Sequence, residues 1–258
     1  MQNSPDYLRK KSFFEKVLTV YGRKAVLETL QDDALQCHAL HLAHSNREAG
    51  IVADIRQHAA RRGVPIKVHD REALSRISKN GRQDQGVAID IVCPAFATLD
   101  DFLSEATAQP RRVLALDGIT NPQNLGMIIR SAAAGAIDGI LLPRKGSAAL
   151  GPLVIKASAG TLYRAPLVLC DGLAAALTAC QQRGGEICTL ESAAPRSLFQ
   201  HESREFCVYV LGNESEGVSA QISALADTRL AIPMRNGVES LNVAVTASLI
   251  AYSSYFDR

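Results

Sequence analysis

From residue 111 onward the chain repeats one pattern. Short continuous apolar runs, "RVLALDG", "DGILLP", "APLVLC", "GEICTL", "FCVYVLG" and "TRLAIP", alternate with stretches of helical character at 124–135, 150–159, 171–183 and 219–225. These runs lack the apolar–polar alternation of a sheet with one wet face, so they read as strands covered on both sides. The fold class is α/β, a C-terminal parallel sheet with helices on both faces. The last segment, "SLNVAVTASLIAYSSYF", carries Val243, Val245 and Ile250, which favour strands, but it is long enough to decide for a helix. It is apolar nearly all round, as suits a helix that is buried or faces a second subunit.

The first ninety residues differ. "YGRKAVLETL" reads as a turn and a helix with Ala25, Val26 and Leu30 facing a core, "ALHLAH" as a strand, and "NREAGIVADIRQHAARRG" as a helix stopped by Gly63. "VPIKVH", "DREALSRIS" with Asp70 as its N-cap, and "GVAIDIV" continue as strand, helix and strand. This gives a small α/β domain over 1–94, with the first ~18 residues expected to be partly disordered. Residues 95–110, an acidic helix with Leu99 and Phe102 on one side between Pro94 and Pro110, are expected to connect it to a domain over 111–258.

Charge separates the two parts. Residues 1–95 hold 15 Lys+Arg against 11 Asp+Glu and five of the six histidines, and the remainder is net acidic. A basic N-terminal part points to an anionic partner. No apolar run reaches the length of a membrane span, and no signal-type segment opens the chain, so a cytoplasmic protein is expected. Six scattered cysteines without a C-x-x-C pair read as reduced, buried thiols, and no metal is expected. His38, His41 and His44 resemble a metal comb, yet on a strand they do not share a face.

Three polar loops follow strands: "DGITNPQNLG", "LGNESEG" and "IPMRNGVESLN". Ligands of open α/β sheets bind outside the carboxyl ends of strands, which places these loops at a site. In "NPQNLGMIIR" a helix opens near Asn124 and seats Arg130 among small and apolar residues. A permanently charged arginine is rarely buried without a partner, so Arg130 marks a functional position. G-x-G-x-x-G, the phosphate-binding P-loop and G-x-S-x-G are all absent from the sequence, so dinucleotide, nucleoside-triphosphatase and hydrolase-elbow readings lose their main support.

"LALDGITNPQNLGMIIRSAAAGAIDGILLP", "VYVLGNESEGVS" and "AIPMRNGVESLNVAVTASLIAY" resemble the three ordered motifs of the SpoU–TrmH family of RNA 2′-O-ribose methyltransferases, of the SPOUT superfamily. The resemblance covers 111–258. The stretch from "VYGRKAVLETL" to Val92 resembles the L30e-like substrate-binding domain of members acting on 23S rRNA guanosine, with Lys24 where histidine is frequent. The resemblance implies S-adenosylmethionine as methyl donor, a deep trefoil knot, and pairing of two chains through the C-terminal helices, with Arg164 a candidate contribution from the second chain. It implies cofactor contacts at Leu211, Gly212, Ile232, Met234 and Leu241, and catalytic positions at Arg130, Asn124, Glu214, Ser240 and Asn242. Arg130 matches the family's proposed general base; a charged guanidinium that clamps phosphate or a developing alkoxide is the other role. Helix N-capping is the plain alternative for Asn124 and Ser240. The expected activity is 2′-O-methylation of ribose in large-subunit rRNA, with a tRNA substrate, or a non-catalytic RNA-binding factor of the same fold, as alternatives.

Overall fold

The computed structural model describes residues 5–105 and 111–255. The chain divides into two compact units, one of residues up to Pro94 with Leu150–Pro152, the other of Ala95–Ala149 with the residues from Leu153 on.

The first unit runs α1 (Pro5–Glu15), β1 (Val17–Tyr21), α2 (Arg23–Gln31), β2 (Gln36–Ala43), α3 (Ile51–Arg61), β3 (Ile66–His69), α4 (Arg71–Ser78) and β4 (Val87–Val92). Its sheet has the order β1-β4-β2-β3; only β2 and β3 are parallel. Val26 and Leu30 of α2, Val52 and Ile55 of α3 and Leu74 of α4 are fully buried. Each contributes about 1.5–3 kcal/mol of burial. Ala25 is only half-buried. Asp70 Oδ1 accepts the Ala73 amide at 2.7 Å and caps α4, as its sequence indicates. Residues Met1–Ser4 of the expected disordered start lie outside the described residues. The rest of that start is ordered as α1 and β1: Phe13 and Phe14 pack edge-on against His38, and β1 pairs with β4 along its length. β1 escaped sequence reading because "VLTVY" is short and follows a charged helix.

The histidine comb is dispersed. His38 meets the Phe13 ring, His44 is exposed, and His41 is buried. Asp90 Oδ2 and His69 Nε2 each lie 3.0 Å from a different nitrogen of His41, and Thr19 donates to Asp90 at 2.7 Å.

The second unit runs β5 (Ala97–Thr98), α5 (Leu99–Ser104), β6 (Arg111–Leu116), α6 (Pro122–Ala134), β7 (Gly139–Pro143), α7 (Pro152–Ala157), β8 (Leu167–Cys170), α8 (Leu173–Gln182), β9 (Glu186–Leu190), β10 (Arg196–Ser197), β11 (Phe206–Leu211), α9 (Ala220–Ser223), β12 (Thr228–Ala231) and α10 (Val243–Ser253). The strands form one sheet, β10-β12-β9-β11-β6-β7-β8-β5, in which every neighbouring pair is parallel. Helices lie between the strands, as the apolar runs predict. Val113, Ala115, Leu141, Val168, Val208 and Val210 build one core with Leu173 and Leu177 of α8.

The reading of 95–110 as a connector is corrected. Phe102 is buried in this core and β5 pairs with β8, so 95–105 belong to the second unit. The periodicity of one short acidic helix reveals its apolar side but not that a sheet waits to cover it. Residues 106–110, with Pro110, lie outside the described residues.

The chain leaves β6 toward β7 and β8 on one side, then places β9 and β12 on the other, with β11 beside β6. This reversal of strand order is where ligands of open α/β sheets bind. α10 follows β12 yet packs on α6, which follows β6. Arg112 of β6 donates to the Ile250 carbonyl at 2.8 Å, Ser248 bonds Ser131 at 2.8 Å, and the Ala136 amide donates to the Ala251 carbonyl at 2.8 Å. The 232–242 segment therefore returns across the carboxyl ends of β9 and β11.

Candidate active site

A cavity of about 760 Å³ opens at the carboxyl ends of β9, β11 and β12. Leu190, Leu211 and Leu230 form its floor, and the loops 212–218 and 232–241 its walls. Leu211, Gly212, Ile232, Met234 and Leu241, the five positions carried over as cofactor contacts, all line it. Glu191, Glu214, Glu216 and Glu239 also line it, and no lysine or arginine does among the described residues. The cavity is thus acidic.

The wall after β11 folds tightly. Asn213 and Gly217 exchange both backbone hydrogen bonds, at 3.0 and 2.8 Å, and the Asn213 side-chain amide donates from Nδ2 to the Gly118 carbonyl at 2.9 Å. A Cβ on Gly212 would fall 2.1 Å from the Gly217 carbonyl carbon and 2.2 Å from the Val218 nitrogen. Only glycine admits that approach. Asp117 Oδ2 accepts the Ser219 amide at 2.8 Å and joins the first motif to the second.

The expected catalytic residues separate into groups. Asn124 is buried at one edge of the cavity, where its side-chain amide donates to Glu214 Oε1. Its carbonyl oxygen accepts from Asn242 Nδ2 at 3.1 Å. Asn124, Glu214 and Asn242, one from each motif, therefore share a network. Ser240 lines the cavity without joining that network.

Two capping alternatives are corrected. Asn121 Oδ1, accepting the Gln123 and Asn124 amides, caps α6, which begins at Pro122 rather than at Asn124. Proline suits the first turn because no intrahelical partner awaits its nitrogen. Asn242, accepting the Ala244 amide at 2.8 Å, caps α10 in place of Ser240.

Arg130 is not buried, contrary to the expectation from its apolar neighbours. Gln123, Met127, Arg130 and Ala134 form the exposed stripe of α6, while Leu125, Ile128, Ile129 and Ala132 face the core. Sequence neighbours in a helix point to different faces. Among the described residues Arg130 has no ion pair or hydrogen bond. Arg164, on a 3-10 turn, is likewise exposed.

A doubly covered parallel sheet with a loop-walled acidic cavity at its switch point is the arrangement in which open α/β units bind ligands, and the relatives give the class. Residues 111–252 match the SpoU rRNA methylase family, and 19–95 match the RNA 2′-O ribose methyltransferase substrate-binding family. The chain belongs to the SpoU methylase family. It is 33% identical over 233 residues to an uncharacterized tRNA/rRNA methyltransferase of Mycolicibacterium vanbaalenii, covering 90% of this chain and 74% of that one. A counterpart in Mycobacterium leprae is 32% identical over 250 residues, covering 96% and 80%. Among solved structures, the SpoU methyltransferase AviRb of Streptomyces viridochromogenes with AdoMet bound aligns with a TM-score of 0.64 at 19% identity, over 99% of this chain and 94% of that one. A TrmH-family protein of Porphyromonas gingivalis aligns with a TM-score of 0.59 at 25% identity, over 97% of each chain. Among the described residues no helix is long and apolar enough to cross a membrane.

Proposed function

We propose that the protein transfers a methyl group from S-adenosylmethionine to a ribose 2′-hydroxyl of structured RNA, with large-subunit rRNA the favoured substrate. The observation that carries this reading is the cavity at the switch point, lined by residues of the second and third family motifs. Its volume of about 760 Å³ lies within the range of ligand pockets. Leu211, Ile232 and Leu241 offer apolar surface for a purine, and the four glutamates suit a ligand bearing a sulfonium and an amine. When bound, the donor supplies an activated methyl carbon. Glycine at 212 holds the loop close, which orients backbone groups toward the ligand. A trefoil knot is supported by the return of 232–242 across the ends of β9 and β11 to set α10 against α6.

The protein's own work is positioning. The Asn124–Glu214–Asn242 network ties the first helix to both cavity loops. Arg130, exposed and unpaired, stays charged and clamps an RNA phosphate or the developing 2′ oxyanion. Its exposure favours this clamp over proton abstraction. The basic first unit, matching a substrate-binding family, contributes RNA affinity.

Two chains pair through the second unit. Met127 on α6 and Val245, Tyr252 and Tyr255 at α10 and just beyond are 41%, 47%, 38% and 52% exposed. Exposed apolar surface of this kind marks an interaction site. Arg130 shares the exposed stripe with Met127, so pairing would place it near the second chain. Phe256, also counted in this apolar segment, lies outside the described residues.

Mapping ribose methylation across total RNA, with and without the gene, tests the reading. Loss of one rRNA ribose methylation is the expected result. Loss of a tRNA methylation would move the substrate to tRNA, and an unchanged map would refute the assignment.

A further inference from the structure

At the opposite end of the sheet from the cavity, four side chains converge: Glu186 and Cys188 from β9, Cys207 from β11, and His201 from the segment between them. The pairing explains the convergence. Glu186 stands directly across from Cys207 in the β9–β11 ladder, and Cys188 lies two residues on, on the same face. His201 folds over that face, its side chain 2% exposed, and the Glu186 side chain is 7% exposed.

The separations suit a metal. Cys188 Sγ lies 3.6 Å from Cys207 Sγ and 3.5 Å from His201 Nε2, which lies 3.4 Å from Glu186 Oε2. Zinc bonds of about 2.3 Å to sulfur and about 2.0–2.1 Å to nitrogen or oxygen, at tetrahedral angles, put these pairs about 3.8, 3.6 and 3.4 Å apart. All four ligand atoms lie within 4.8 Å of one another. Among the described residues Glu186 Oε2 is enclosed and has no hydrogen-bond partner, with His201 Nε2 in ion-pair range at 3.4 Å. Its other oxygen accepts from Thr228 at 2.8 Å, which fixes the carboxylate's orientation. A buried carboxylate oxygen left in this way is costly, and a cation satisfies it.

We propose that Glu186, Cys188, His201 and Cys207 form a closed site for a thiolate-preferring divalent cation, zinc by the chemistry of its donors. Two thiolates, one imidazole and one carboxylate fill a tetrahedral set and leave no open position, so the site is structural. Binding releases the two thiol protons. Cys207 is second in β11 and Leu211 is last, so the metal sits about 13 Å along the strand from the cavity floor. It clasps β9 to β11 and fixes the 198–205 return. The sequence offers no metal motif for these residues, because the ligands are dispersed as E-x-C, His and Cys and meet only through a parallel pairing.

The test is cobalt titration of the full-length, reduced, metal-stripped protein. The expected result is one equivalent of Co2+ bound with visible tetrahedral bands and near-ultraviolet thiolate charge transfer, both abolished by Zn2+. Glu186→Gln should weaken cobalt binding at least tenfold while keeping charge transfer. Cys207→Ser should lose part of the charge transfer. If the cysteine variant fails to fold, the native titration decides alone. A folded native protein that binds neither ion stoichiometrically, or a cobalt spectrum without thiolate charge transfer, overturns the proposal.

Discussion

Gly212→Ala probes the cavity with the smallest possible change. The added methyl would lie 2.1–2.3 Å from three backbone atoms of Gly217 and Val218. No side chain can rotate away, so the loop must retreat by about 1 Å or more to restore van der Waals separation. That retreat pulls on the paired Asn213–Gly217 hydrogen bonds. Overpacking of this kind costs about 1–3 kcal/mol. The clash is present in the ligand-free fold, so the cost falls on folding stability, and the displaced loop also loses its shape as a cavity wall. Affinity for the methyl donor should fall about tenfold or more, since 1.4 kcal/mol is one decade. The melting temperature should fall by several degrees, the scale set by about 1–3 kcal/mol in a chain of this size. Calorimetric titration with S-adenosylmethionine, paired with thermal melting, gives both numbers. Unchanged affinity would refute the claim that the 212–217 loop holds the donor.

Asn242→Ala should cost about 1–2 kcal/mol, because it removes the α10 cap and leaves the buried Asn124 without one partner; chemical denaturation measures it. Val245→Arg should yield a particle near 27.7 kDa in light scattering, against twice that for the native chain. In the first unit, burial raises the Asp90 carboxyl, but hydrogen bonds from His41 and Thr19 outweigh it and hold Asp90 below the ordinary value. Its stabilisation is therefore present above the unfolded value of about 3.9 and lost as pH falls through the lower folded one. Burial, with His41 and Lys67, holds His69 below its usual 6.5, so the unfolded chain gains that proton first and stability begins to fall below about 6.5. Hydrogen exchange of β2 and β4 amides should accelerate in both windows, and Asp90→Asn should remove the lower one.

The six long strands of the second unit were legible because each is a continuous apolar run, which a sheet covered on both faces requires. β5 and β10 were not, since two residues carry no period. The polar loops were legible as a site by composition, but the site's internal order was not. Asn124 looked like a cap, and Asn121 holds that place because Pro122 opens the helix one turn earlier. Arg130 looked buried because its neighbours in sequence are apolar, whereas its neighbours in space are the exposed Gln123, Met127 and Ala134. The Glu186–Cys207 cluster depends on β9 and β11 lying side by side, and no local pattern encodes that adjacency.

The proposed activity is methyl transfer to a ribose 2′-hydroxyl, with Arg130 acting outside the donor cavity. Its most direct test is transfer of a tritiated methyl group from S-adenosylmethionine to rRNA by the native protein and by Arg130→Ala, followed by digestion to nucleosides. Label is predicted in a 2′-O-methylnucleoside with the native protein. The variant should bind the donor as tightly, yet transfer at least a hundredfold more slowly, the scale on which electrostatic stabilisation acts. Label on a base would contradict ribose methylation, and near-native turnover by Arg130→Ala would contradict the role of Arg130.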